Sequence, residues 1–279
     1  MAPTPAFHRS GLVSLAAAAL LLAACATPDV ATENRSISIV NGPDPASAEP
    51  ASESGLVTNV GPSFLTLTVS ARAGKSGIFG TPTKAITSGS GFLVGNSGYA
   101  MTAAHVAVAK GNVVSAEAAD GRQYSGVVVD VAPELDMALL QLKGFHGVAA
   151  TPAPQACVAA GAQVFSLGKP HAQGDTARFG QLESMHFGRA VRYGNFGYPD
   201  AMVLRMGTQK GESGGPVFNN QGQLIGMVVS TLTDAGGQPL NLAHAVPAAN
   251  LAGFLCQHTS CTGTWAKLAT QSTDDCPPG

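Results

Sequence analysis

Three short segments of the sequence carry a histidine, an acid and a serine that together could perform nucleophilic catalysis. His105 follows an apolar run, Asp136 precedes another, and Ser213 lies in the segment Gly-Glu-Ser-Gly-Gly-Pro. A serine hydroxyl is a weak nucleophile at neutral pH and needs an adjacent base. A histidine can accept its proton, and an acid can hold the imidazole in the required tautomer. The segments therefore predict His105, Asp136 and Ser213 as a catalytic triad.

The glycine two residues before Ser213 could help to stabilise the negatively charged oxygen that forms when the serine attacks a carbonyl group. Backbone N–H groups can be aimed at such an oxygen, and glycine permits the unusual turn that this requires. We therefore predict that the N–H groups of Gly211 and Ser213 form an oxyanion hole. No Cys or His cluster has the spacing of metal ligands, so neither a metal nor a cofactor is expected. The other histidines are predicted to be ordinary surface or core residues.

The elements that must position these residues are predicted to be short strands. From Leu56 to about Leu255, apolar or alternating runs are separated by turns such as Asp120-Gly121. Many short strands with little helical periodicity favour an all-β sandwich or barrel. The one predicted helix is Pro247–Cys256, and the turn-rich residues 144–157 could join two halves. The predicted strands are Phe64–Val69, Gly91–Val94, Tyr99–Thr102, Gly126–Val131, Met137–Leu142, Gln163–Leu167, Ala201–Arg205, Leu224–Ser230 and Leu242–Val246.

The overall composition excludes several classes of protein. The 279 residues are enough for one large domain or two small ones. A formal net charge of −2 argues against nucleic acid as a partner, because neutralising phosphates needs a basic surface. A hydrophobic fraction of 45 % excludes a wholly disordered chain.

The N-terminus is predicted to be an export signal. Arg9 precedes the apolar run Leu12–Ala24, which is shorter than the roughly 20 residues that span a bilayer. The run ends in Leu-Ala-Ala-Cys, which resembles the lipobox of bacterial lipoproteins. The resemblance implies that residues 1–24 are a signal peptide and that Cys25 carries the lipid.

The predicted lipid would hold the protein on a membrane. Ala26, rather than Asp, follows the cysteine, which in Gram-negative lipoproteins implies the outer membrane, facing the periplasm. Residues 25–55 are rich in Pro, Ser, Ala and Glu and are predicted to be a flexible tether.

The remaining cysteines predict two disulfides. With Cys25 assigned to lipid, an even number is left in an exported chain, which suggests a disulfide framework. Four cysteines allow three pairings, and the sequence does not choose among them. The four are Cys157, Cys256, Cys261 and Cys276.

Several stretches beyond the triad resemble the HtrA/Deg family of trypsin-like serine proteases. They include Ser88–Val94 ahead of His105, Ser166–Pro170, and Gly226–Pro247 with its Ala-Val-Pro ending. The resemblance covers about residues 60–252. It implies a domain over 56–255 made of two six-stranded antiparallel β-barrels with the active site between them.

This resemblance also implies an activity and an organisation. The barrels would span about 56–145 and 158–255, followed by a Cys-containing tail over 256–279. The implied activity is a serine endopeptidase acting on unfolded or damaged exported proteins, so the expected partners are polypeptides. The tail is too short for the PDZ domain usual in the family. Neither the resemblance nor the composition predicts the oligomeric state.

The resemblance further places a specificity pocket beside Ser213. Counting back along the chain puts its base near Gly207 and Thr208. Its far wall falls near Val229, Ser230 and Thr231. No acid lies at the base, so an entering Lys or Arg would lose water without gaining a partner. Cleavage after small or medium aliphatic residues is therefore predicted.

An esterase is one alternative. The serine segment also fits the Gly-x-Ser-x-Gly pattern of α/β-hydrolases, which need the chain order serine, acid, histidine. Asp234 with His244 or His258 would supply that order. In such enzymes the serine begins a helix, whereas residues 217–225 are predicted to form a strand, a turn and a strand.

A non-enzyme is another alternative, namely a lipid-anchored binding protein or holdase on a protease scaffold, because a fold does not guarantee activity. A silent protease usually lacks a triad member, and none is missing here.

The segment Ile39-Val40-Asn41-Gly42 looks like the new N-terminus of an activated chymotrypsin-type zymogen. In that case its freed amine would pair with Glu212, the acid beside the nucleophile. The position of the segment in the predicted tether, far ahead of His105, argues against this hypothesis.

Overall fold

A computed structural model of the protein describes most of the chain. The described residues are 36–40, 50–72, 84–95, 97–145, 147–171 and 174–277. The predicted signal peptide, residues 1–24, and the predicted lipidation site Cys25 lie outside the described residues. No described helix is long and apolar enough to cross a membrane.

The first barrel is a closed antiparallel ring of six strands, hydrogen-bonded in the order β2-β3-β4-β7-β6-β5. Its strands are β2 (Phe64–Ser70), β3 (Ala85–Leu93), β4 (Tyr99–Thr102), β5 (Val113–Ala118), β6 (Gln123–Ala132) and β7 (Met137–Leu142). β2 shows why this sequence closes a barrel. Leu65, Leu67 and Val69 alternate into the core, and β-branched threonines lie between them.

The second barrel is a ring of six antiparallel strands in the order β8-β9-β12-β15-β14-β13, closed by pairing of β9 with β8. Its strands are β8 (Gln163–Gly168), β9 (Thr176–Ser184), β12 (Met202–Arg205), β13 (Pro216–Asn219), β14 (Leu224–Thr233) and β15 (Pro239–Pro247). The predicted all-β fold of two six-stranded barrels is confirmed. The strand, turn and strand after Ser213 also agree with the prediction that disfavours an α/β-hydrolase.

Alternating side chains on β8 and β13 join the two barrels. Val164 and Val217 pack inside the second barrel, whereas the next residues, Phe165 and Phe218, lie in the cluster that contains the core of the first barrel. The two phenylalanine rings lie 5.4 Å apart. Because successive side chains of a strand point to opposite faces, the same strands line one barrel and dock against the other.

The remaining strands lie outside the two rings. They are β1 (Ser38–Val40), β10 (Val191–Tyr193) and β11 (Phe196–Tyr198). β1 runs parallel to β9, and β10 and β11 form a two-stranded hairpin. The helices are α1 (Pro50–Val60), α2 (Ala104–Ala107), α3 (Ala248–His258) and α4 (Gly263–Leu268), and a 3-10 helix spans Gly61–Ser63.

The segment predicted as a flexible tether, residues 25–55, differs from that prediction where it is described. Ser38 to Val40 form β1, and α1 begins at Pro50. Ile39 and Val40 are β-branched residues that favour a strand, but three residues are too few for a composition argument to detect. Regular structure therefore begins before residue 56.

The C-terminal segment folds back onto the barrels. α3 begins one residue after Pro247, close to the predicted start of the helix. Leu251, Phe254 and Leu255 of α3 are buried in the main core. Two disulfides are present, as predicted. They join Cys157 to Cys276 and Cys256 to Cys261.

The two disulfides should differ in their effect on stability. The Cys157–Cys276 bond closes a loop of sequence separation 119, whereas the Cys256–Cys261 bond spans only 5. Replacing Cys157 and Cys276 by alanine should lower the free energy of unfolding by about 2–4 kcal/mol, because the unfolded chain gains more freedom. Urea denaturation measures this loss, with the Cys256→Ala/Cys261→Ala variant as the matched comparison. A larger loss in that comparison variant would contradict the expectation.

Candidate active site

Asp136 and His105 meet at the edge of the first barrel. His105 lies in α2, directly after β4, and Asp136 ends the turn before β7. The Nδ1 atom of His105 lies 2.9 Å from Asp136 Oδ2 and 3.1 Å from Oδ1. The backbone N–H of His105 also donates to Oδ1, at 3.0 Å. The carboxylate thus fixes both the ring and the backbone of the histidine.

Asp136 adopts a backbone conformation that few residues accept. Its φ is +47°, in the left-handed region, where Asp is better tolerated than most residues because its short side chain can hydrogen-bond locally. Its side chain is 0 % exposed. A buried carboxylate needs several donors, and His105 supplies two of them.

A hairpin from the second barrel covers this pair, and sequence reasoning missed it. Tyr193 on β10 donates its hydroxyl to Asp136 Oδ2, and its ring meets the His105 ring edge-on at 5.6 Å. Phe196 on β11 also packs edge-on against His105, at 6.4 Å. Burial, together with the nearby Asp136 charge, raises the pKa of Tyr193 far above its usual range. The phenol therefore remains a donor at any working pH.

The loop around Ser213 has the backbone that an oxyanion site requires. Gly211 has a φ of +99°, and an added Cβ would lie 2.2 Å from the Lys169 carbonyl oxygen. Gly214 has a φ of +85°, and its Cβ would lie 2.2 Å from the Ser90 carbonyl oxygen. Side chains are excluded at both positions. Within the described part of the chain, the N–H groups of Gly211 and Ser213 donate to no protein acceptor.

The Ser213 hydroxyl faces the same cleft as His105 without touching it. Its Oγ lies 3.5 Å from the Val229 carbonyl oxygen, at the limit of a hydrogen bond. Among the described residues it makes no hydrogen bond to His105. Catalytic contacts are often long in free enzymes and tighten when substrate binds.

Ser90 on β3 connects the nucleophile loop to the first barrel. Its N–H donates to the Ser213 carbonyl at 2.9 Å, and its hydroxyl donates to the Gly211 carbonyl at 2.8 Å. Its own carbonyl accepts the Thr102 hydroxyl at 2.7 Å, three residues before His105. Ser90 is fully buried, so these bonds are shielded from water.

Glu212, the residue before the nucleophile, forms a buried ion pair with Arg178 on β9. The Arg178 Nε atom lies 2.6 Å from Glu212 Oε1 and 2.8 Å from Oε2, with side-chain exposures of 8 % and 2 %. The Gln209 N–H also donates to Oε2, at 2.7 Å. Burial raises the pKa of Glu212, and the Arg178 charge opposes that rise.

This ion pair argues against the zymogen hypothesis. Glu212 has Arg178 as its charged partner rather than a freed amine at Ile39. Ile39 lies in β1, where 39 % of it is exposed, whereas Asn41 and Gly42 lie outside the described residues. A side-chain cation of the same chain therefore occupies the place proposed for a new N-terminus.

A cleft of about 710 Å³ contains the predicted triad base and nucleophile. Of the predicted pocket residues, Thr208, Val229, Ser230 and Thr231 line it together with His105 and Ser213. Gly207 does not line it. An added Cβ at Gly207 would lie 2.9 Å from the Asn241 side-chain oxygen, so Asn241 fills that space.

The pocket walls are bridged by two hydroxyl groups. The Thr208 and Thr231 Oγ1 atoms lie 2.7 Å apart. No Asp or Glu is among the described residues that line the cleft. The described lining thus offers no carboxylate, and a hydrogen bond crosses the pocket.

A second network lies behind the cleft, around a histidine predicted to be ordinary. The Tyr198 hydroxyl lies 2.8 Å from Ser230 Oγ and 2.7 Å from His244 Nδ1. Burial lowers the pKa of His244 to about 4, so the ring is neutral and can accept a hydrogen bond. Tyr198 thereby anchors the hairpin to the wall of the cleft.

Comparison with known proteins supports the same domain. Residues 89–227 match the family model of the trypsin-like peptidase domain. A probable serine protease do-like of Buchnera aphidicola is 31 % identical over 165 residues, covering 57 % of this chain and 33 % of that protein. The periplasmic serine endoprotease DegP of Escherichia coli is 30 % identical over 174 residues, covering 60 % and 35 %. The chain spans about a third of the length of these relatives.

Solved structures show the same architecture. The active form of the Rv3671c protease from M. tuberculosis aligns with a TM-score of 0.61 at 25 % identity, over 82 % of this chain and 93 % of that one. The HtrA-type protease AlgW with a tripeptide aligns with a TM-score of 0.59 at 23 % identity, over 73 % and 62 %.

Fold and comparisons agree on the class of protein. Residues 89–227 match a trypsin-like peptidase domain, and the two barrels are arranged as in the chymotrypsin-like proteases. Within that class the chain is similar to DegP-like proteases, in agreement with the resemblance that its sequence motifs carry. The lipoprotein form stays a prediction.

Breaking the Arg178–Glu212 pair should be costly. Arg178→Met leaves Glu212 buried without a cation and should lower the free energy of unfolding by about 3–5 kcal/mol at neutral pH. Because burial raises the pKa of Glu212, a proton taken up at acidic pH should reduce this loss. Denaturation at several pH values measures both effects. The Arg178→Met/Glu212→Met variant removes both charges and should recover most of the stability, and a double variant as unstable as the single one would contradict this account.

Proposed function

We propose that the protein is a serine endopeptidase that uses His105, Asp136 and Ser213 to hydrolyse peptide bonds in unfolded or damaged exported proteins. The observation that carries this proposal is the bond between the buried Asp136 carboxylate and His105 Nδ1, in the same cleft as Ser213. The N–H groups of Gly211 and Ser213, which donate to no acceptor among the described residues, support it further.

The proposed reaction passes through an acyl-enzyme. The Ser213 hydroxyl turns from the Val229 carbonyl towards His105, and Oγ attacks the carbonyl carbon while its proton passes to His105 Nε2. The N–H groups of Gly211 and Ser213 stabilise the resulting oxyanion. His105 then gives the proton to the leaving amine as the C–N bond breaks. A water molecule hydrolyses the ester by the same route.

The proposed location is the periplasmic side of the cell envelope, with the chain held to the outer membrane by lipid on Cys25. The lipobox-like Leu22–Cys25 supports this proposal. The relative DegP is named a periplasmic protein. Acyl chains contribute about 0.8 kcal/mol per buried methylene, so several on one cysteine would anchor the chain stably.

Ser213→Ala should keep the fold and abolish proteolysis. The expected result is complete loss of cleavage of unfolded casein, and His105→Ala should be about as damaging because triad members act as a unit. Ser115→Ala, at an exposed position on β5, is the matched control and should stay active.

Activity of Ser213→Ala near the wild-type level, with contaminating proteases excluded, would contradict the triad. A serine-directed phosphonate probe distinguishes the proposed peptidase from the alternative, a catalytically silent binding protein. A folded chain that neither cleaves casein nor reacts with the probe would be a silent binding protein.

The pocket, whose described lining has no carboxylate, should reject basic residues. Its walls carry Val229 and the bonded pair Thr208 and Thr231, with no carboxylate to meet an ammonium group. Of two peptides that differ only in the residue before the scissile bond, the one with Val should be cleaved faster than the one with Lys. Measurement of kcat/KM for the pair decides this. Preferred cleavage after Lys or Arg would overturn the pocket assignment.

A further inference from the structure

The donors to Asp136 come from two different barrels. His105, on the first barrel, supplies its backbone N–H and its ring to the carboxylate. The described residues provide one more donor, the hydroxyl of Tyr193, on the hairpin of the second barrel. The same hydroxyl lies 3.4 Å from His105 Nδ1. Tyr193 thus contacts both partners of the hydrogen bond between Asp136 Oδ2 and His105 Nδ1.

The hairpin that carries Tyr193 is held on both sides. The Gly197 N–H donates to the Pro133 carbonyl at 2.9 Å, in the turn that carries Asp136. Tyr198, at the end of the hairpin, bonds to Ser230 and His244 on the second barrel. Both anchors lie on β11, and Tyr193 on β10 pairs with Phe196 of that strand, so the anchors hold the strand beside Tyr193 in place.

We propose that Tyr193 is a positioning residue of the triad, whose hydroxyl holds the Asp136 carboxylate in line with His105 and limits the basicity of the imidazole. This inference rests on the proposed function. A donor to Oδ2 fixes the plane of the carboxylate and so the direction of the His105 ring. It also takes part of the negative charge that would otherwise stabilise the protonated imidazole.

Tyr193 transfers no proton in this role. Burial and the neighbouring Asp136 charge disfavour a phenolate, so the group stays a neutral donor throughout the cycle. The titratable or charged groups facing His105 are Asp136, Tyr193 and, across the cleft, His171 and Lys210. Substituting Tyr193 by Phe changes one of these and keeps the ring that packs on His105.

Kinetics of Tyr193→Phe test the role. We expect kcat to fall about tenfold or more, because a hydrogen bond to a charged group is lost, while KM changes little. The acid limb of the kcat/KM profile should move to higher pH, because the freed carboxylate stabilises the protonated imidazole more strongly.

Two matched variants separate positioning from hairpin stability. Tyr124→Phe removes a phenol hydroxyl from β6, where the ring packs at a tilt against Phe145, and should leave kcat and the pH profile unchanged. Tyr198→Phe removes a hydroxyl from the same hairpin that does not bond to Asp136. It should lower thermal stability and move the acid limb less than Tyr193→Phe does, and an equal shift in both hairpin variants would overturn the role of Tyr193.

A measurement that needs no substrate turnover tests this inference separately from the proposed function. The protonation midpoint of His105 can be followed by NMR in histidine-labelled protein, with its signal assigned from a His105→Gln variant. The midpoint should rise in Tyr193→Phe and stay fixed in Tyr124→Phe. Equal midpoints in wild type and Tyr193→Phe would overturn the inference even in an active enzyme. A wild-type chain without peptidase activity would overturn the proposed function and leave the midpoint as the test of Tyr193.

Discussion

The site depends on the hydrogen bonds of one buried serine. Ser90 belongs to the first barrel, yet it holds the carbonyls of Gly211 and Ser213, which belong to the second. Its own carbonyl holds Thr102, which leads into His105. The distance between base and nucleophile is thus set through one residue rather than through two independent scaffolds. Because Ser90 is fully buried, water does not compete for these bonds.

The two buried carboxylates near Ser213, those of Asp136 and Glu212, have different partners and different effects. Asp136 is surrounded by donors from His105 and Tyr193, so its charge is available to an imidazole that becomes protonated. Glu212 is neutralised by Arg178 and serves to fix the loop before Ser213. A buried charge is tolerated only with partners, and both acids meet that condition through residues distant in sequence.

Strands with hydrophobic alternation were predictable, and strands held by polar contacts were not. The predicted strands Tyr99–Thr102 and Met137–Leu142 correspond to β4 and β7 in full. β9 was not predicted because part of its buried face is polar. Its Arg178 pairs with Glu212, which lies 34 residues away in the sequence. The three segments of the triad carry recognisable motifs. The hairpin with Tyr193 carries none, because its contacts form only once both barrels are docked.

Because the site is divided between the two barrels, its residues are synthesised at different times. The first barrel is complete at Leu142, and it contains the acid and the base without a nucleophile. Ser213 and Tyr193 are made later, and the second ring closes only when β15 pairs with β12 and β14. A chain that emerges N-terminus first therefore cannot assemble a working centre while its own unfolded segments lie exposed beside it. In the proposed peptidase, this layout of the chain delays self-digestion until the second barrel has closed.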